Sequence, residues 1–172
     1  PLLSPSILAA IALVYWFGNK GILKALLFGH SIYGPIGIIL ASIYWTFPHA
    51  LMILSTSLSL SDSRLYEAAE VLKTSKLRAF LTITIPGARY GIISTTFVVF
   101  TQVFTDFGVP KVIGGNYNVL ATDIYKEVVG MQNFQMGAVI SLVLLIPAMV
   151  AFFIDQYSRK KQISLLTSRS VV

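Results

Sequence analysis

Residues 35–60, PIGIILASIYWTFPHALMILSTSLSL, contain no Asp, Glu, Lys or Arg. At about 1.5 Å per residue, a helix of this length crosses a hydrocarbon core roughly 30 Å thick. Such a core offers no water to the backbone, so a spanning segment is a helix or part of a closed barrel. A continuous apolar run, rather than an alternating one, selects the helix. Three further apolar runs lie at about 2–17, 88–105 and 136–154, and the span within the first-mentioned run is placed at 36–59. The run at 2–17 is slightly short of the usual span of about 20 residues. It ends in Tyr15-Trp16-Phe17, aromatic residues suited to the headgroup level. The expected fold is all-α: a polytopic transmembrane helix bundle with about four spans. Composition agrees, at 55% hydrophobic and 12% charged residues with mean hydropathy +0.76, against about 25% charged in soluble domains.

The net charge is +6 and the sequence pI about 9.7. In a soluble chain that balance suggests nucleic acid, but no basic patch interleaved with aromatics is present. The basic residues instead sit at the ends of apolar runs. Arg64, Lys73, Lys76, Arg78 and Arg89 lie in or beside the segment after the second run, and Arg159, Lys160, Lys161 and Arg169 lie in the tail. Lys20, Lys24, Lys111 and Lys126 fall on the other side. The positive-inside rule therefore puts the 61–87 loop and the 156–172 tail in the cytoplasm, and the 106–135 loop outside. The chain has no Cys, which excludes disulfides, thiol catalysis and thiolate metal sites.

The charged stretch at 65–86, LYEAAEVLKTSKLRAFLTITIP, reads as two short helices on the membrane surface, joined near Lys73 to Ser75. Asp62 or Ser61 can cap the first. Leu65, Ala69 and Leu72 share a face at i, i+4 and i+7. Glu70 and Lys73 have the spacing of a helical ion pair. Leu77, Phe80 and Leu81 start a second apolar stripe, and Pro86 is expected to close the segment.

Polar groups within the spans are few. Pro48 predicts a kink in the second span, and His49 follows it at the same depth. An intramembrane histidine is either a functional group or a neutral one bonded to a neighbouring helix. The third span carries Ser94, Thr95, Thr96, Thr101 and Gln102, which suit close helix packing or a polar pore equally. Pro48, His49 and Gln102 are the candidate pore or gating residues. Residues 106–135 read as a long loop, with Gly and Pro marking turns in DFGVPKVIGGNYN and an amphipathic helix near 119–129. A short interfacial helix is expected in GILKALLF at 21–28. Asp155 is expected to end the fourth span. No nucleophile has a neighbouring base. Gly114-Gly115 lacks the Lys-Ser/Thr of a phosphate loop. The reading therefore calls for no catalytic residue, metal or cofactor, and any ATP hydrolysis belongs to a separate chain. A secondary transporter or channel and a membrane-embedded enzyme are the competing classes.

Glu67-Ala68-Ala69, followed by Ser75, Phe80, Ile83 and Ile85-Pro86, resembles the EAA loop of ATP-binding-cassette importer permeases. Lys73 stands at that family's glycine position, and Ile85 at its leucine. The stretches DFGVPKVIGGNYNVLATDIYK and GAVISLVLLIPAMVAFFID look closest to 2-aminoethylphosphonate importer permeases, with the iron(III) permeases as the related alternative. The tail RKKQISLLTSRSV resembles the connector between two homologous permease halves, so the chain is expected to be part of a longer polypeptide. The resemblance implies a bacterial inner-membrane permease subunit. Its partners would be cytoplasmic ATPase subunits, an extracytoplasmic substrate-binding protein and a second permease half or subunit. By position, Glu67, Ala68 and Ala69 would lead into the helix that couples to the ATPase. Lys73, Thr74, Ser75, Lys76 and Arg78 would form its exposed part, with Pro86 ending the motif.

The charge distribution makes the topology testable by labelling Glu67→Cys and Asn116→Cys variants of the Cys-free chain with an impermeant thiol reagent. In intact cells position 116 should label and position 67 should not. The reverse pattern would invert the assignment.

Overall fold

The computed structural model describes residues 3–59 and 62–169, and the side chains of these except 159 and 161–169. Ser61 lies outside the described residues, as do residue 2 of the first expected span and residues 170–172 of the tail. Among the described residues the regular structure is helical. In chain order it comprises α1 (Ser6–Phe17), a 3₁₀ turn (Lys24–Leu27), α2 (Pro35–Ser59), α3 (Ser63–Val71) and α4 (Lys76–Ala79). A π turn (Phe80–Thr84), α5 (Ile85–Phe104), α6 (Gly108–Ile113) and α7 (Leu120–Tyr125) follow, then a second π turn (Lys126–Gly130) and α8 (Phe134–Arg169). Among the described residues three helical stretches are long and apolar enough to cross a membrane: Pro35–Ser59, Lys76–Phe104 and Phe134–Ser158. The twelve-residue α1 is a shorter apolar helix.

The expected boundaries shift at three places. Pro86 does not close the surface segment, because helix continues from Lys76 through to Phe104. The π turn explains how. The Ile85 N–H reaches back five residues to the Phe80 carbonyl, so the ladder has already widened where Pro86 would withhold its N–H. Asp155 does not end its helix either; α8 runs unbroken past Pro147 and Asp155. And the 106–135 segment holds, besides the helix expected near 119–129 (α7 and the second π turn), an unexpected helix, α6.

Contacts divide the chain into two compact units. The first takes residues 1–48 and 101–150. Its core is Ala10, Ile32, Ala41, Val109 and Ile113, with Leu13, Val14, Phe17 and Ile38 against it. Val109 and Ile113 are the largest fully buried side chains of the described residues, and both belong to α6. The six-residue helix is anchored at its start. The Asp106 carboxylate accepts the N–H groups of Gly108 at 3.3 Å and Val109 at 2.9 Å, and the Ser6 hydroxyl of α1 donates to the same carboxylate. Pro110 sits in the first turn, where a missing N–H is harmless. Gly108 has to be small, since a Cβ there would lie 2.5 Å from Ser6 Oγ. At the other end the Ile113 carbonyl accepts the Gly34 N–H at 2.9 Å, next to the start of α2. Thus Gly108 and Pro110, read as turn residues in the sequence, are helix-start residues here.

The second unit takes residues 49–100 and 151–172. Ala88, Gly91, Ser94 and Thr95 are buried on α5, and Ala151, Asp155 and Ser158 on one face of α8. Ser94 Oγ donates to Asp155 Oδ1 at 2.6 Å. A carboxylate inside a membrane-length helix is costly unless partnered, and this hydroxyl supplies one partner. The same contact bears on the third-span hydroxyls: Ser94 bonds across to α8, while Thr96 turns back to the Ile92 carbonyl at 2.9 Å. Small residues also let α2 and α5 approach closely. A Cβ on Gly91 would fall 2.2 Å from Ser57 Oγ and 2.3 Å from Ser57 Cβ.

Gly91→Ala is therefore expected to destabilise the protein by about 1–3 kcal/mol through overpacking. Adding Ser57→Gly should recover part of that loss, which thermal unfolding of the detergent-solubilised protein would read. Equal stability of Gly91→Ala and the parent would refute the close approach.

Candidate functional site

The site begins at Asp62. Its Oδ1 accepts the Arg64 N–H at 3.0 Å and so caps α3. That start leaves Glu67 and Ala68 exposed and turns Ala69 inward, 8% exposed. Of the apolar stripe expected at Leu65, Ala69 and Leu72, only Ala69 is buried. Leu65 is half exposed and Leu72 caps the helix in the open.

The chain then reverses at Lys73, whose φ is +51°. Thr74 N–H bonds to the Ala69 carbonyl and Lys73 N–H to the Glu70 carbonyl, both at 2.9 Å. This 6→1 and 5→2 pair is a Schellman motif, a helix ending that favours glycine at the left-handed position. Lys73 occupies the place where the resemblance has glycine, and the turn forms nonetheless. A Cβ in this region costs about 1–2 kcal/mol, which two backbone hydrogen bonds and the following cap offset. The reversal also takes Lys73 out of helical register. Its expected ion pair with Glu70 does not form, although both residues are described and exposed.

Ser75 opens α4, its hydroxyl accepting the Arg78 N–H at 3.4 Å. Thr82 Oγ1 donates to the Arg78 carbonyl at 2.7 Å within the π turn. The two arms of the loop are braced by Tyr66, whose hydroxyl meets Thr84 Oγ1 at 2.9 Å. The result is a helix–turn–helix whose second arm runs straight into a membrane-length helix. Its tip presents Val71 at 83% exposure, Leu72 at 77% and Leu77 at 70%. Around these lie the exposed Lys73, Ser75, Lys76 and Arg78, with Thr74 half-buried. Apolar side chains this open, ringed by cations, suit a partner surface with a hydrophobic centre and a polar rim.

The structure thus gathers Glu67, Ala68, Ala69, Lys73, Thr74, Ser75, Lys76 and Arg78 into one motif, with Pro86 about two turns beyond it in α5. The candidate gate residues are not gathered in this way. Pro48 and Gln102 belong to the first unit and His49 to the second. All three are half-buried, and the Gln102 side-chain carbonyl is buried without a hydrogen-bond partner. The groups that sequence reasoning missed are Tyr66, Asp106 and Asp155, the last as the partner of Ser94. Asp106 did carry a signal, since an Asp shortly before a proline is a helix-start pattern. The Ser94–Asp155 bond joins residues 61 apart and had none.

Residues 1–163 match the family described as binding-protein-dependent transport system inner membrane component. The chain belongs to that family. It is a multi-pass protein of the inner membrane, in keeping with its membrane-length apolar helices. Similar curated proteins include a ferric transport system permease protein of Haemophilus influenzae, 30% identical over 165 residues, covering 91% of this chain and 26% of that protein. Another ferric transport system permease protein, of Actinobacillus pleuropneumoniae, is 28% identical, covering 90% of this chain and 24% of that one. A spermidine/putrescine transport system permease protein of Escherichia coli is 28% identical over 155 residues, covering 85% of this chain and 56% of that one. The chain therefore spans about a quarter of the ferric permeases and a little over half of the polyamine permease. Their names do not support the expected closeness to the phosphonate permeases.

The turn at Lys73 can be tested directly. Lys73→Gly should stabilise it by about 1 kcal/mol, and Lys73→Val should weaken it, because a β-branched residue is an outlier at positive φ. Amide exchange at Thr74 is the readout, expected to slow in the first variant and quicken in the second. Faster exchange in Lys73→Gly than in Lys73→Val would exclude the left-handed turn.

Proposed function

We propose that this chain is part of the permease subunit of an ATP-driven importer. In this reading the 63–79 helix–turn–helix sits in a cleft of a cytoplasmic ATPase subunit. The observation that carries it is the continuity of the motif's second arm with α5, from Lys76 to Phe104. A displacement imposed on the tip by an ATPase passes into that membrane helix without a flexible joint. Tyr66 and Thr84 hold the two arms together, so they move as one body. The exposed Ala68 keeps the outer face of the first arm slim enough for close approach by a partner, and the cations give directional, salt-sensitive contacts. ATP-driven closure would then tilt spans between inward-open and outward-open states. An extracytoplasmic binding protein would deliver the solute, and a second permease half or subunit would complete the path. Pro48, His49 and Gln102 are the gate candidates within it.

For the cargo, the similarity to ferric permeases favours iron(III), the alternative kept beside 2-aminoethylphosphonate, with polyamines as a further option. Of the lysines expected outside, Lys111 lies over the Tyr125 ring at 4.5 Å and Lys126 bonds Asn118 Oδ1. Both partners are neutral, so both lysines keep their charge; with Asp106, Asp123 and Glu127 in the same segment, the local field does not choose between an anionic and a cationic solute.

Glu67→Lys should insert normally yet lose ATPase association and uptake, since an opposed charge at an interface costs several kcal/mol, on the order of a thousandfold in affinity. Membrane abundance, co-purification of the ATPase and uptake of labelled iron(III), spermidine and 2-aminoethylphosphonate by the reconstituted complex form one experiment. Full uptake in Glu67→Lys would remove the coupling role, and phosphonate uptake without iron would reverse the cargo reading.

A further inference from the structure

We propose that the hollow at the aromatic end of α1 is a binding site for the phosphate headgroup of an anionic phospholipid. It has a volume of about 490 Å³ and is lined by Val14, Tyr15, Asn19, Lys20, Ile22 and Tyr33. The lining is mixed: Val14 and Ile22 form an apolar wall, while Asn19, Lys20 and the two phenols offer donors. The hydroxyl of Tyr33 reaches the end of α1 because Gly18 has no side chain; a Cβ there would lie 3.0 Å from it.

Charge identifies the ligand class. Lys20 is exposed and makes no hydrogen bond or ion pair with the described residues. Every other lysine of its side of the chain is engaged: Lys24 with the Asn19 carbonyl at 3.4 Å, Lys111 with Tyr125 and Lys126 with Asn118. One free cation beside amide and phenol donors fits a phosphate oxygen. The apolar surroundings identify the source of that phosphate as a lipid rather than a free ion. Ile22 is 74% exposed, Leu26 60% and Phe28 90%, all within the turn that holds Lys20 and Lys24. Side chains this open beside basic residues are at home at the boundary of headgroups and acyl chains. The aromatic Tyr15 and Trp16 belong at the same depth. A bound phospholipid would place its phosphate on Lys20 and an acyl chain along Val14 and Ile22. The site stands independently of the cargo and of the ATPase.

Native mass spectrometry of the full-length permease complex, exchanged into nanodiscs of phosphatidylcholine with or without phosphatidylglycerol, tests this. The parent should retain phosphatidylglycerol in preference to phosphatidylcholine. Lys20→Gln should lose about fivefold of that preference, the effect of one basic residue at an anionic surface. Lys126→Gln, whose partner is Asn118, should leave it unchanged. Equal retention by the parent and Lys20→Gln would overturn the assignment. Displacement of the lipid by millimolar inorganic phosphate would assign the hollow to a free anion instead and equally overturn it. Thermal unfolding of Lys20→Gln in phosphatidylcholine alone separates loss of the site from loss of the fold.

Discussion

Inside a hydrocarbon layer a peptide N–H or carbonyl has no water to bond with, and this constraint runs through the whole chain. It explains why apolar runs interrupted by proline still form long helices. α2 continues past Pro48 and α8 past Pro147. The most consequential case is Pro86. There the ladder widens to an i→i−5 bond between Ile85 and Phe80 one residue ahead of the proline. The surface helix and the membrane helix become one rod, and the lever proposed for the loop depends on that fusion. A conventional break at Pro86 would have left the helix–turn–helix hinged to the membrane domain.

The polar residues within each unit follow the same logic. Asp106 and Asp155 are both carboxylates set among apolar residues, and each has a serine hydroxyl donating to it from another helix, Ser6 and Ser94 respectively. They act differently. Asp106 caps a short helix and so fixes Val109 and Ile113 in the core of the first unit. Asp155 ties α8 to α5 within the second unit, which also carries the candidate loop. Close packing at Gly91 and Gly108 supplements the ties where van der Waals contact, rather than the hydrophobic effect, must hold membrane helices together.

Much of this was legible in the sequence, and the reasons for the rest are physical. Apolar length and charge depletion identify the long helices, because the bilayer imposes a minimum length. The Asp62 cap, the reversal near Lys73 to Ser75 and the exposure of the loop cations are local properties, and local pattern reaches them. Three features escaped. The π turn before Pro86 depends on one carbonyl changing partner, which residue identity does not encode. The left-handed Lys73 goes against its own preference and is imposed by the hydrogen bonds on either side. The Ser94–Asp155 tie joins distant positions, so Asp155 read as the polar end of a span. The role proposed for the loop rests on its local pattern and on the shape that pattern takes. The cargo reading rested on resemblance in two stretches, 106–126 and 137–155; in the first of them Asp106 caps α6 and Val109 and Ile113 are core residues of the first unit.

The central claim is that the turn at 72–78 is where this chain meets an ATPase. A photoreactive amino acid at position 75 of the full-length permease, in membranes containing its cognate ATPase, tests this most directly. The account predicts a cross-link to the ATPase subunit whose yield changes when ATP is added. ATP-driven uptake by the same preparation, with cross-links to lipid alone, would contradict it.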